Sequence, residues 1–96
     1  MDEPVIIHED QGAEGEYQAR VADSAVFGRL TYVRHGNVLT AEHALVPPEI
    51  GGRGIAAKLV EALIADARAK GWTIVPQCSY VAAAFKRHPE WVDLLA

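Results

Sequence analysis

The chain has 96 residues, half of them hydrophobic, with 23% charged and a formal net charge of −4; this allows one compact domain over residues 1–96 and excludes two independent ones. The acidic balance argues against nucleic acid or an anionic membrane as partner and suits a cationic substrate such as an amine. Cys78 is the only cysteine, which excludes an internal disulfide and a CxxC-type zinc site and fits a reducing compartment.

The start Met1-Asp2-Glu3-Pro4 carries no basic segment followed by an apolar run, and no stretch approaches the ~20 apolar residues of a membrane span. The chain therefore reads as cytoplasmic. Short alternating or β-branched runs separated by turn residues predict an antiparallel meander of about four strands in the first half. Val5-Ile6-Ile7 is the first strand, the stretch from Asp10 to Gly15 a loop, and Tyr17, Ala19 and Val21 mark the second strand. Asp23-Ser24 makes a turn, Ala25 to Arg34 a third strand, His35-Gly36-Asn37 a reversal, and Val38 to Val46 a fourth strand.

Pro47-Pro48 ends that strand, and Gly51-Gly52-Arg53-Gly54 precedes a long amphipathic pattern. Between Arg53 and Lys70 the residues Ile55, Ala56, Leu59, Val60, Leu63, Ile64 and Ala67 recur at helical spacing. Lys58, Glu61, Asp66 and Arg68 lie outside that stripe. Gly71 is placed as a left-handed cap, and Asp66 is spaced to pair with Lys70. Trp72 to Val75, closed by Pro76, predicts a buried fifth strand parallel to the fourth through the helical crossover. Ser79 to about His88 predicts a second, shorter helix that ends before Pro89, with Trp91, Val92, Leu94 and Leu95 folding the tail back onto the core. The fold class is α+β.

Glycines at a strand-to-helix turn let the backbone approach a ligand, and the first N–H groups of a helix favour negative charge. The same glycines also suit a plain tight turn. Among phosphate-binding readings, the dinucleotide fingerprint requires an acidic residue at the end of the next strand, which here reads Val75-Pro76-Gln77. A nucleoside triphosphate loop fails because Lys58 lies between Ala57 and Leu59 rather than between Gly and Ser or Thr. A coenzyme A diphosphate site is the third reading.

The run Val46-Pro47-Pro48-Glu49-Ile50-Gly51-Gly52-Arg53-Gly54-Ile55-Ala56 resembles the loop of the GNAT superfamily of N-acetyltransferases. There Arg or Gln, two residues, Gly, one residue and Gly or Ala form the pattern. Gly54 and Ala56 fill the last two places, whereas Gly51 stands where Arg or Gln is usual. The segment from Pro76 to Val81, Phe85 and His88-Pro89-Glu90-Trp91 resembles the short, minimal branch of that superfamily, so the likeness covers His43 to the end. It implies a minimal GNAT-like fold that binds acetyl-coenzyme A, with the amides of Ile50, Gly51, Gly52, Arg53, Gly54, Ile55 and Ala56 at the diphosphate and the Arg53 side chain offering charge. It further implies that the acetyl-pantetheine arm lies between the fourth and fifth strands, near Leu45 and Val46, and that the acceptor is a primary amine of a small molecule or protein.

Three residues are candidates for chemistry. Period-two alternation places His43 on the face of Leu39, Ala41 and Leu45, as either a hydrogen-bonded core histidine or a general base; the resemblance favours the base. Cys78, before the second helix, is either an inert thiol or a thiolate favoured by the helix dipole. In the short branch a cysteine here is viewed as an acetyl carrier paired with the histidine. Larger relatives protonate the departing thiolate with a tyrosine where this chain has Phe85, which leaves Tyr80 as the substitute acid. His8, His35 and His88 lack metal-site spacing and read as surface residues, Trp72, Trp91 and Phe27 as core or tail anchors, and Glu42 as a solvated strand residue. A coenzyme A-binding module without turnover is the alternative function.

Overall fold

The computed structural model describes residues 4–96; Met1 to Glu3, within the start read above for a leader, lie outside them. Five strands, β1 (Val5–Asp10), β2 (Glu14–Arg20), β3 (Phe27–His35), β4 (Val38–Leu45) and β5 (Thr73–Pro76), form one sheet in sequence order. The first four are antiparallel, and β5 joins β4 in parallel. Helix α1 (Ile55–Lys70) is the crossover between them, and helix α2 (Ser79–Arg87) follows β5. The α+β architecture is thus the one expected, with short 3₁₀ turns at Pro48–Ile50 and Pro89–Leu94.

Cross-strand pairs explain where the core sits. Tyr17, Ala19, Leu30, Tyr32, Leu39, Ala41 and Ile74 bury their side chains on one face of the sheet. Onto that face α1 lowers Ile55, Leu59, Val60, Leu63, Ile64 and Ala67, and α2 lowers Val81, Ala84 and Phe85. Helix α1 lies against β1, β2 and β3, and α2 against β4 and β5. Gly71, at φ 72°, ends α1 in the left-handed cap foreseen for it, and Trp72 N–H reaches back to the Ala67 carbonyl at 3.0 Å.

Several local expectations are corrected. The first loop shrinks to three residues between Asp10 and Glu14, because Asp10 and Gly15 pair across the hairpin and the Asp10 carboxylate accepts the Gly12 N–H at 2.9 Å. That bond, followed by the nearby Arg34 guanidinium, holds the Asp10 carboxyl below the usual carboxylate range. Gly15 pairs within the strand, and the position requires glycine because a Cβ there would stand 2.5 Å from the Tyr32 hydroxyl and 2.7 Å from the Glu9 carbonyl. Gly15→Ala should therefore lower stability by about 1–3 kcal/mol, the range for forcing atoms into a packed site, as read from urea denaturation.

His8, read as a surface residue, is half-buried. Its Nε2 lies 2.6 Å from the Tyr32 hydroxyl, its ring stacks on Tyr17 at 4.3 Å, and its Nδ1 is 3.4 Å from Asp66. Asp66 accepts the Tyr17 hydroxyl proton at 2.7 Å, so its structural partner is across the sheet interface, not Lys70, whose ammonium sits over Trp72 at 4.9 Å. Burial, then the Asp66 bond, pushes Tyr17 far above its usual pKa, and burial pushes Tyr32 up to about 12. Both phenols therefore stay neutral inside the core. Phe27 is not a core anchor either: the Arg20 and Arg29 guanidinium groups cover its ring at 4.1 and 5.2 Å.

The tail docks by Leu94 and Trp91, whereas Val92 and Leu95 remain 66% and 40% exposed. It is instead the main chain that closes the sheet edge, with Leu95 bridging to Ile74 and Ala96 N–H donating to the Ile74 carbonyl at 2.9 Å. Unpaired edge groups of β5 are thereby covered.

Candidate functional site

The β4–β5 ladder runs from the Val38–Thr73 pair to the Ala41–Pro76 pair and has one more link, Cys78 N–H to the Ala41 carbonyl at 2.9 Å. There the two strands part. On the other side of β4, Tyr32 pairs with Ala41 but Thr31 pairs with His43, so Glu42 is an extra residue in a β-bulge. A bulge bends its strand and re-aims the side chains that follow. Past it β4 keeps pairing with β3, through Leu30–Ala44 and Arg29–Leu45, and leaves β5.

The divergence opens a cleft of about 600 Å³ lined by Glu42, His43, Ala44, Leu45, Gln77, Cys78 and Ser79. His43 and Cys78 therefore share one cavity. Strict alternation placed His43 on the apolar core face, and the bulge overturns this. His43 lies across from Thr31 on the exposed face, and Leu45, 61% exposed, follows Arg29 outward. Among the described residues none hydrogen-bonds to the His43 ring, so it is not a core histidine held by a partner.

Cys78 is a half-buried free thiol at the N-cap of α2, where the helix dipole favours negative charge. Tyr80 stands elsewhere: it lines a small recess with Ala57, Val60, Glu61 and Trp91, and Arg87 covers its ring at 5.7 Å. The structure thus removes Tyr80 from the cleft, because one residue step along α2 turns a side chain by about 100°. Phe85 is 8% exposed and meets Trp91 edge-on at 5.7 Å.

The glycine-rich turn begins at Gly51, six residues beyond Leu45. Two of the amides assigned to it are engaged by the protein: Ile50 N–H donates to the Pro47 carbonyl and Gly51 N–H to the Pro48 carbonyl, both at 3.1 Å. The free amides accordingly start two residues later, at Gly52. From Gly52 to Ala57 no main-chain N–H has an acceptor among the described residues, and the first bond of α1 is Lys58 N–H to the Gly54 carbonyl at 3.2 Å. Gly52 and Gly54 hold φ of 75° and 71°, which glycine adopts without strain. Among the described residues no side chain caps α1, and no acidic residue lies in its first turn. Uncapped amides and an unneutralised dipole are what a bound anion would complete, so the residues present fit a diphosphate.

Arg53 does not point freely from this turn. Its two terminal nitrogens donate to the two Asp23 oxygens at 3.0 and 3.2 Å. That partner and the Glu42 bulge are the features sequence reading missed. The bulge left one trace, a spacing of three rather than two between Ala41 and Ala44 in an otherwise alternating strand. The Asp23 contact left none, since it spans thirty positions.

Residues 16–94 match the model of a family described as GCN5-related N-acetyl-transferase. The fold is similar to the NMR solution structure of a GCN5-like protein from Staphylococcus aureus, with a TM-score of 0.68 and 21% sequence identity over 94% of this chain and 87% of that one. At that identity the second likeness speaks to fold.

Proposed function

The chain belongs to the GCN5-related N-acetyltransferase family, and from that premise we propose that it is an acetyl-coenzyme A-dependent N-acetyltransferase acting on a primary amine. The observation that carries the proposal is the cleft beside the bulge, with His43 and Cys78 in its lining and, from Gly52 on the same connection after β4, a run of amides unengaged among the described residues. Acetyl-coenzyme A would supply an activated acetyl thioester. The amides of Gly52 to Ala57 would hold its diphosphate, and the β4 backbone near Leu45 and Val46, which has left β5, would orient the acyl group.

His43, facing solvent with no hydrogen-bond partner among the described residues, would take the proton that an ammonium acceptor must lose before it can attack. An adjoining hollow of about 300 Å³, lined in part by Glu9, Glu14, Glu16 and Glu42, shares Glu42 with the cleft and gives a cationic acceptor an attractive approach. Cys78, in the same lining, offers a second route in which the acetyl group passes through its sulfur, with His43 as activating partner.

A second reading, a coenzyme A-binding module without turnover, is favoured by Phe85 and Tyr80, neither of which can protonate a departing thiolate in the cleft. Thermal unfolding and intact mass after incubation with acetyl-coenzyme A separate these readings, using wild type and Cys78→Ala. A hundredfold excess of ligand over Kd should stabilise the protein by about 2.7 kcal/mol. A transient acetyl adduct absent from Cys78→Ala would establish the sulfur route, and transfer to a test amine without one would establish direct attack. Stabilisation with no transfer to any amine would leave the binding module, and no stabilisation at all would remove both readings.

A further inference from the structure

We propose that Asp23 withholds Arg53 from the diphosphate, so that the cradle grips its ligand through main-chain amides alone and lets it go readily. The inference rests on the coenzyme A reading above and concerns a residue thirty positions away from the loop, in the turn between β2 and β3.

Arg53 is the one cation inside the Gly52–Ala57 run. A guanidinium matches a phosphate best by presenting two N–H groups in parallel. Here the end-on pair of that fork is already taken, since both terminal nitrogens donate to the two Asp23 oxygens at 3.0 and 3.2 Å. The pairing holds the Asp23 carboxyl below its ordinary range, so the partner is a full anion at neutral pH. Two effects then weaken an incoming diphosphate. Arg53 must leave one anion to reach another, and the Asp23 carboxylate, 3.0 Å from the guanidinium and so well within a Debye length of about 8 Å, repels its competitor.

The pair is solvent-exposed, with side-chain accessibilities of 35% for Arg53 and 66% for Asp23, so it contributes little to the fold. Its position and its consumption of the fork give it a different consequence: it sets affinity. A cradle made of fixed amides is less dependent on salt than one made of mobile charges, because fewer counterions are exchanged on binding.

The test is calorimetric titration of acetyl-coenzyme A into wild type, Asp23→Asn, Asp23→Ala, Arg53→Gln and the Asp23→Asn/Arg53→Gln double variant, each at low and high salt. Acetyl-pantetheine, which lacks the diphosphate, serves as control. Releasing Arg53 should tighten acetyl-coenzyme A binding about threefold to tenfold and steepen its salt dependence. Arg53→Gln should change wild-type affinity less than about twofold yet cancel the gain in the Asp23→Asn background, a coupling that additive sites would not show. Acetyl-pantetheine should bind all variants alike.

Equal or weaker binding by both Asp23 variants would overturn the inference while leaving the coenzyme A reading intact, as would an equal loss from Arg53→Gln in both backgrounds. Failure of wild type to bind acetyl-coenzyme A would overturn that reading and this inference with it.

Discussion

Deletion of Glu42 should abolish detectable acetyl-coenzyme A binding while leaving a folded, cooperative domain. Glu42 is the residue that makes two positions of β4 face one of β3, and removing it restores a continuous register in which Ala41 still meets Tyr32 and His43 still meets Thr31. The core pairs on either side are unchanged, so Leu39, Ala41 and Leu30 keep their buried places. What is lost is the bend. A straight β4 continues alongside the segment after Pro76, where Cys78 N–H already bonds to the Ala41 carbonyl, and the cleft closes as the parallel ladder lengthens. Affinity should fall on the order of a hundredfold or more, the scale of losing a positioned site. Calorimetry reads the binding, and far-ultraviolet circular dichroism with a urea transition reads the fold. Retained affinity in a folded deletion variant would show that the bulge is not what opens the cleft.

His43→Gln should lower kcat/KM for acetyl transfer by about 10²–10⁴-fold, the usual contribution of a positioned general base. The same variant should keep its affinity for acetyl-coenzyme A within about twofold and its stability within about 0.5 kcal/mol, as for a surface substitution away from structural features. The expectation of unchanged stability comes from the structure: His43 faces solvent across from Thr31, and none of the described residues holds its ring. A histidine that served the core would cost stability on replacement. The pH dependence is the discriminating readout. A rising limb of wild-type kcat/KM with pH that belongs to the base should vanish in the variant. An unchanged rate and an unchanged profile would exclude His43 as the base. Loss of rate with retention of the limb would assign the titration to another group.

The two predictions fail in distinguishable ways because they act on different levels of the structure. The deletion alters a backbone path and should be read first in binding. The substitution alters one proton acceptor and should be read only in turnover.

Much of the fold was legible because it depends on local chemistry. The helical stripe from Ile55 to Ala67 specified α1, Gly71 specified its end, and Pro47-Pro48 its separation from β4. Paired strand runs and a helix-length crossover then left few topologies, and the sheet adopts the simplest of them. The positive φ of Gly52 and Gly54 and the unengaged amides at the start of α1 were legible for the same reason, since they are properties of the segment itself.

Side-chain direction was a different matter. Whether His43 faces the core or the solvent hinges on one inserted residue, and a strand's period of two turns a single-residue insertion into a change of face. Which amides are free was decided by the 3₁₀ turn at Pro48–Ile50 engaging those of Ile50 and Gly51. Asp23 met Arg53, His8 met Tyr32 and Asp66 met Tyr17 because the sheet brings distant segments together. By itself, then, the sequence determined the elements, their order and the chemical types at the site, all set by short-range propensity and periodicity. Tertiary packing alone decided which of those groups face one another, because contact between residues far apart in the chain is a property of the assembled sheet and leaves no local trace.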